Sequence, residues 1–383
     1  MKRRDFLRSA GAIGAGLSIS RAIPVFADDS ASAWRTFEVT THVELLKPSG
    51  EAHIWLPAAL IRDTPFQKTL ANKFTAENGS AALTEDKQQM LGIVTGTYPG
   101  NSKPALTLTS RVSLKNHAVD LTTPSHPHVS RAELDYYLQP TKYVPTDGVV
   151  KETADKATKG ATTDIDKARA VYEWVVENTF RDPKIRGCGR GDIRFMLESG
   201  DLGGKCADLN ALFVGLARAA GLPARHLYGL RIAKSDEGYK SLGVPTERAT
   251  KGQHCRAEVF LKDYGWVPVD PADVRKVVLE EPPGNLKLKD DMVSKARTHL
   301  FGSWEMNWMG FNYAHDVALP GSKLPPLVYF MYPQAETADG RVDPFDPDNF
   351  KYEITVKELT YSGAPRRLGK DIWGSLAHGF AVG

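Results

Sequence analysis

The chain has 383 residues, 42% hydrophobic and 25% charged, with 33 glycines and 24 prolines. This ordinary globular composition excludes a disordered chain, a collagen-like fibre and a disulfide-dense miniprotein. The formal charge of +3 belongs to the first 27 residues: removing their five basic residues and one acidic residue reduces totals of 49 and 46 to 44 and 45, so no nucleic-acid partner is expected.

Residues 1–27 read as an export leader. Lys2-Arg3-Arg4-Asp5-Phe6-Leu7-Arg8 resembles the twin-arginine motif. A Gly- and Ala-rich, weakly apolar run from Ala10 to Ile19 follows, then Arg21, then Val25-Phe26-Ala27 before a cleavage point. The expected partner during export is the twin-arginine translocase, and the expected location is the periplasm. No internal stretch approaches ~20 uninterrupted apolar residues, so no permanent membrane span is expected. Three cysteines remain, Cys188, Cys206 and Cys255. An odd count leaves at least one free thiol, whether or not Cys188 and Cys255 pair.

The strand period of two dominates residues 34–115. It runs through Trp34–Val43, Ala52–Leu56 and Leu106–Leu114, with turns at Lys47-Pro48-Ser49-Gly50 and Pro99-Gly100-Asn101. This predicts an all-β, sandwich-like domain that occupies, with its linker, residues 28–150. Pro124, Pro127, Pro140 and Pro145 mark the linker. Helical spacing starts near Thr163, with Ala168, Val171, Tyr172 and Val175 on one face. A Gly-rich loop, Arg186–Asp192, comes next.

Cys206 to Ala220 is the clearest helix. Leu209, Leu212, Phe213, Leu216 and Ala217 form its apolar stripe, Gly221 caps it and Pro223 forbids continuation. At ~100° per residue, Cys206 projects within about 60° of Leu209, so its thiol sits on the first turn and faces the core. Strands are predicted at His226–Ile232 and His254–Leu261. The turn Lys262–Gly265 then leads into Trp266–Asp270. A helix followed by an antiparallel hairpin makes this an α+β core over 151–280. Residues 281–383 read as a C-terminal extension with strands packing on the core.

Four segments together carry a family resemblance. They are Gly203-Gly204-Lys205-Cys206-Ala207-Asp208, Gly221-Leu222-Pro223-Ala224-Arg225, Gln253-His254-Cys255-Arg256-Ala257-Glu258, and Tyr264-Gly265-Trp266-Val267-Pro268-Val269-Asp270-Pro271. This order is similar to that of the bacterial transglutaminase-like superfamily, with 48 residues from Cys206 to His254 and 16 more to Asp270. Two positions depart from it: Lys205 stands where a small or apolar residue is commoner, and Cys255-Arg256 replace a frequent Ala-Trp. The resemblance implies a papain-like transglutaminase core with Cys206, His254 and Asp270 as a catalytic triad.

Elementary chemistry supports that implication independently. A free thiol of pKa ~8.5 yields little thiolate at neutral pH, and a helix N-terminus and an imidazolium both stabilise the anion. His254 would take the proton, Asp270 would orient the imidazole, and the Cys206 amide would donate to an oxyanion. The expected activity is acyl transfer on amide bonds of a peptide or protein, cell-wall peptide among them, through a thioester. Peptidase or amidase action is favoured over crosslinking. A non-catalytic periplasmic binding or scaffold protein that keeps the fold is the alternative. Neither a cofactor nor a metal is expected. Asp208 reads as a partner of the helix dipole, and Arg225 with Glu258 as a structural ion pair.

Overall fold

The computed structural model describes residues 33–244 and 247–359; the expected twin-arginine leader, residues 1–27, lies outside them. Two antiparallel sheets form the predicted all-β region. The first orders its strands Phe350–Leu359, Arg35–Leu45, Ala105–Leu114, Gln67–Glu77. The second orders them Gly340–Val342, Gln334–Thr337, Ala52–Pro57, Leu91–Tyr98, Ser80–Asp86. Alternation along the strands turns Val43, Leu45, Ile54, Leu56, Val94, Leu106, Leu108 and Phe350 into one shared core. Each such side chain, fully buried, contributes about 1.5–3 kcal/mol of hydrophobic stabilisation.

The C-terminal segment is distributed rather than appended. Its last strand pairs with Arg35–Leu45 in register from Thr36↔Leu359 to Leu45↔Phe350. Trp308–Asn312 instead pairs with Ala224–Arg231 in the other half of the molecule. The Pro-rich passage predicted as a linker also packs. Ser130 caps the short helix Arg131–Tyr136 by accepting the Glu133 amide at 3.2 Å. The Ala224 amide donates to Tyr137 at 3.2 Å, and Tyr137 is buried against Trp266.

The second half is the predicted α+β core, a four-stranded antiparallel sheet ordered Gly265–Val269, Gln253–Leu261, Ala224–Arg231, Trp308–Asn312. The helix Cys206–Ala219 packs on this sheet. The helices Val149–Ala157, Asp164–Asn178, Ile193–Ser199 and Pro271–Glu280 surround its remaining sides. All of its residues are therefore buried, rather than the single stripe that the apolar spacing suggested. The polar residues meet partners inside: Arg218 donates to the carbonyls of Ala224 and Gln139, each at 2.8 Å. At Gly221, φ is +86°, and the Leu222 amide closes on the Ala217 carbonyl at 2.9 Å.

Candidate active site

Cys206 is the first residue of the buried helix, where the leading amides have no acceptor within the helix and the dipole is positive. What precedes it is held by Asp208. One oxygen of that carboxylate accepts the Arg190 and Gly191 amides at 2.9 and 2.8 Å, and the other accepts Lys205 N–H at 2.9 Å. Asp208 is thus more than a dipole partner, because it clamps the Gly-rich loop onto the helix start. Gly189 is required there: its φ is +98°, and a Cβ would fall 1.8 Å from Asp208 Oδ2. The Ala207 amide also donates to the Cys188 carbonyl at 2.9 Å. These bonds bring Cys188 beside Cys206.

His254 and Cys255 arrive on the strand Gln253–Leu261, which is paired on both edges and buried from His254 to Leu261, with the helix Cys206–Ala219 packed against it. All three cysteines are buried and free, so Cys188 and Cys255 are not paired. Cys188 Sγ donates to the Gln253 carbonyl at 3.4 Å and accepts from the Tyr332 hydroxyl at 3.0 Å, and the three sulfurs and His254 lie close enough to shift one another's titration. The neighbouring Cys188 and then Cys255, together with the adjacent His254 and its charge, hold the Cys206 thiol well below its ordinary value despite burial. The neighbouring Cys206 and then burial push Cys188 well up, and burial and then Cys206 push Cys255 well up.

His254 Nε2 meets Asp270 Oδ2 at 2.7 Å, leaving Nδ1 for the sulfur side. Burial and Arg231 push the imidazole pKa down, but Asp273 and Asp270 outweigh them and the net direction is up. Asp270 is fully buried at the end of the strand Gly265–Val269. Its position before Pro271 also makes it the N-cap of Pro271–Glu280, accepting the Asp273 amide at 3.1 Å. The turn-forming and orienting roles of this aspartate coincide.

Three further residues complete the arrangement without having been singled out in the sequence. Asn210 lies one turn beyond Cys206 and donates to Asp270 Oδ1 at 3.2 Å and to the Cys255 carbonyl at 2.8 Å. Asp273 approaches His254 Nε2 at 3.5 Å and takes both of its oxygens to Arg231 Nη2 at 2.6 Å. Burial alone would raise the Asp273 carboxyl, but Arg231 and His254 hold it well below the usual range. The available signals were an Asn four residues after the Cys and an acid three after the capping Asp. Arg231, at the end of a buried strand, carried no local signal.

His254, Asp270 and Asp273 bring three ligand-type atoms within 4.8 Å of one another. The Arg231 guanidinium already satisfies Asp273 on both oxygens, so this donor set is an imidazole held by carboxylates and fits a cation poorly. Farther away, Arg225 and Glu258 form the expected ion pair at 2.6 Å, with the guanidinium 3.8 Å from the Trp266 ring centroid. A cavity of about 720 Å³ opens over Cys206 and His254. The arrangement offers a thiol with a lowered pKa, an imidazole oriented by a carboxylate, and the Cys206 amide at the helix start for a developing oxyanion.

Residues 151–271 match the transglutaminase-like superfamily core. An uncharacterized protein of Haemophilus influenzae is 34% identical over 342 residues, covering 84% of this chain and 91% of that protein. The solved structure of a candidate cysteine protease from Cytophaga hutchinsonii superposes with a TM-score of 0.53 at 14% identity, covering 87% of this chain and 94% of that one. This last likeness is one of fold. With a Cys-led helix packed on an antiparallel sheet that carries the His and the Asp, the chain belongs to the transglutaminase-like superfamily.

Proposed function

We propose that this protein is an exported cysteine-nucleophile enzyme that cleaves amide bonds through a thioester, with Cys206 as nucleophile, His254 as acid and base, and Asp270 as the orienting carboxylate. The observation that carries the reading is the buried Cys206 at a helix start, sharing its cavity with His254, whose Nε2 lies 2.7 Å from Asp270.

The Cys206 thiolate attacks the amide carbonyl, and negative charge moves onto its oxygen. The Cys206 amide at the helix terminus stabilises that charge. His254 gives its proton to the leaving nitrogen as the C–N bond breaks, leaving an acyl group on sulfur. Water, deprotonated by His254, attacks the thioester; the acid leaves and the thiolate returns. An amine in place of water gives transfer. Hydrolysis is the favoured outcome, acting on peptide amides. The leader motif supports work in the periplasm after passage through the twin-arginine translocase. Among the described residues, no helix is long and apolar enough to cross a membrane.

The test is alkylation and turnover with the wild type and Cys206→Ala. The expected result is one fast, pH-dependent iodoacetamide adduct on Cys206 that the variant lacks. Incubating the exported protein with periplasmic extract and a tagged amine separates the two acceptors: new peptide termini without tag mean hydrolysis, and incorporated tag means transfer. Equal slow alkylation of both proteins contradicts the proposal.

A further inference from the structure

The cavity over Cys206 has a charge asymmetry that acyl transfer itself does not need. Its wall carries six cations, Arg181, Lys205, Arg231, Lys251, Lys276 and Lys351, and no Asp or Glu. Three carboxylates approach them from behind: Asp273 at Arg231, Glu280 at both Arg181 and Lys276, and Glu44 at Lys351. Six positive charges therefore face three negative ones. Among the described residues, the side-chain ammonium groups of Lys205 and Lys251 form no ion pair within 4 Å.

Two side chains of the cavity wall sharpen the asymmetry. Lys276 is largely buried and sits 3.7 Å from Glu280. Burial and then the Arg231 charge both push its pKa down, against Asp273 and Glu280. A desolvated ammonium crowded by guanidinium groups gains more from an added anion than an exposed lysine does. Gln253 adds a neutral donor: its buried Nε2 has no hydrogen-bond partner among the described residues. Tyr332, Phe345, Phe350 and Tyr352 wall the same cavity and limit water, which strengthens every charge interaction within it.

We propose that the acyl substrate is an acidic peptide whose carboxylate, next to the scissile amide, is received by Lys205, Lys276 and Gln253. The proposal rests on Cys206 being the nucleophile. Lys205 is the residue next to Cys206 and lines the same cavity as Cys206, His254, Gln253 and Lys276, so an anion paired with it shares that cavity with the reacting carbonyl. The carboxylate replaces the counter-charge that the wall lacks, and the substrate is thereby oriented before attack.

Iodoacetate and iodoacetamide differ by one carboxylate, and both report on Cys206. Their second-order alkylation rates are measured on the full chain at about 10 mM ionic strength, with N-acetylcysteine as the free-thiol reference. The expected iodoacetate-to-iodoacetamide ratio is at least about tenfold above the reference and falls severalfold in ~0.5 M NaCl. His254 attracts the anion in every form, so the decisive readout is a further drop of about fivefold in Lys205→Gln and in Lys276→Met, with Lys205→Arg retaining the wild-type ratio. If Lys276→Met fails to fold, the Lys205 pair and the salt series decide. Fast alkylation with a ratio unmoved by salt or by Lys205→Gln overturns the anion site and leaves the nucleophile standing. Slow alkylation by both reagents overturns both.

Discussion

Asp270→Asn isolates the carboxylate's contribution with almost no change of volume. In the native site, Asp270 Oδ2 meets His254 Nε2 at 2.7 Å, while Oδ1 accepts from Asn210 and from the Asp273 amide. An asparagine accepts on one atom only. If its oxygen serves His254, its NH2 faces two donors; if it serves those donors, its NH2 faces Nε2–H. Even in the better orientation, a charge-assisted hydrogen bond worth about 1.5–3 kcal/mol becomes a neutral one worth about 0.5–1.5. The difference of roughly 1–2 kcal/mol falls on the imidazolium–thiolate form and corresponds to about one pKa unit. The sign follows: His254 has a raised pKa, part of which comes from Asp270, so the substitution lowers it. Because His254 in turn lowers Cys206, the thiol pKa rises. The assay is the pH profile of iodoacetamide alkylation, with Cys206 identified by mass spectrometry. The acid limb should move up by about one unit and turnover should fall by one to two orders of magnitude. Asp273, 3.5 Å from the ring, limits the shift and keeps it from being total. An acid limb that moves less than about 0.3 units while the variant remains folded would refute the assignment of Asp270 to His254.

Arg231→Met leaves the buried Asp273 carboxylate without its guanidinium, and should cost about 3–5 kcal/mol in urea unfolding; a loss below ~1 kcal/mol contradicts the pairing. Asn210→Ala removes donors to Asp270 and to the Cys255 carbonyl, so a stability loss of about 1–3 kcal/mol should accompany a slower turnover with little change in KM. Gly189→Ala strains a positive φ and collides with Asp208, so slower Cys206 alkylation together with a loss of about 1–3 kcal/mol is expected; native values would dissociate the loop from the site. His226 is held down to about 3, chiefly by burial and then by Arg218. The unfolded chain then binds the extra proton between pH ~6.5 and ~3, so stability falls as pH drops through that window. His226→Gln should remove about 1.4 kcal/mol per pH unit from the slope of urea-derived stability against pH.

Much of the site was legible because its parts are local. The helix begins at Cys206 because glycines precede it and Asp208 satisfies the amides there, and it ends at Gly221-Leu222-Pro223; both ends follow from a few neighbouring residues. The alternation of His254–Leu261 and the Asp270-Pro271 boundary are equally local. The all-round burial of the helix was hidden: an apolar stripe shows one packed face, and Asp208, Asn210 and Arg218 look like surface residues until their buried partners are present. Arg231 and Asp273 are 42 residues apart, and no periodicity links them.

By itself the sequence determined the elements and the candidate trio, since hydrophobic period, caps and turn residues act within a few positions. Only the tertiary structure decided which strands become neighbours, because pairing across long loops depends on what the whole core buries. It joined Phe350–Leu359 to Arg35–Leu45, drew Cys188 and Cys255 against the Cys206 sulfur, and assembled a basic wall from residues between Arg181 and Lys351. Charge and hydrogen bonding act over a few ångströms in space, whatever the separation along the chain.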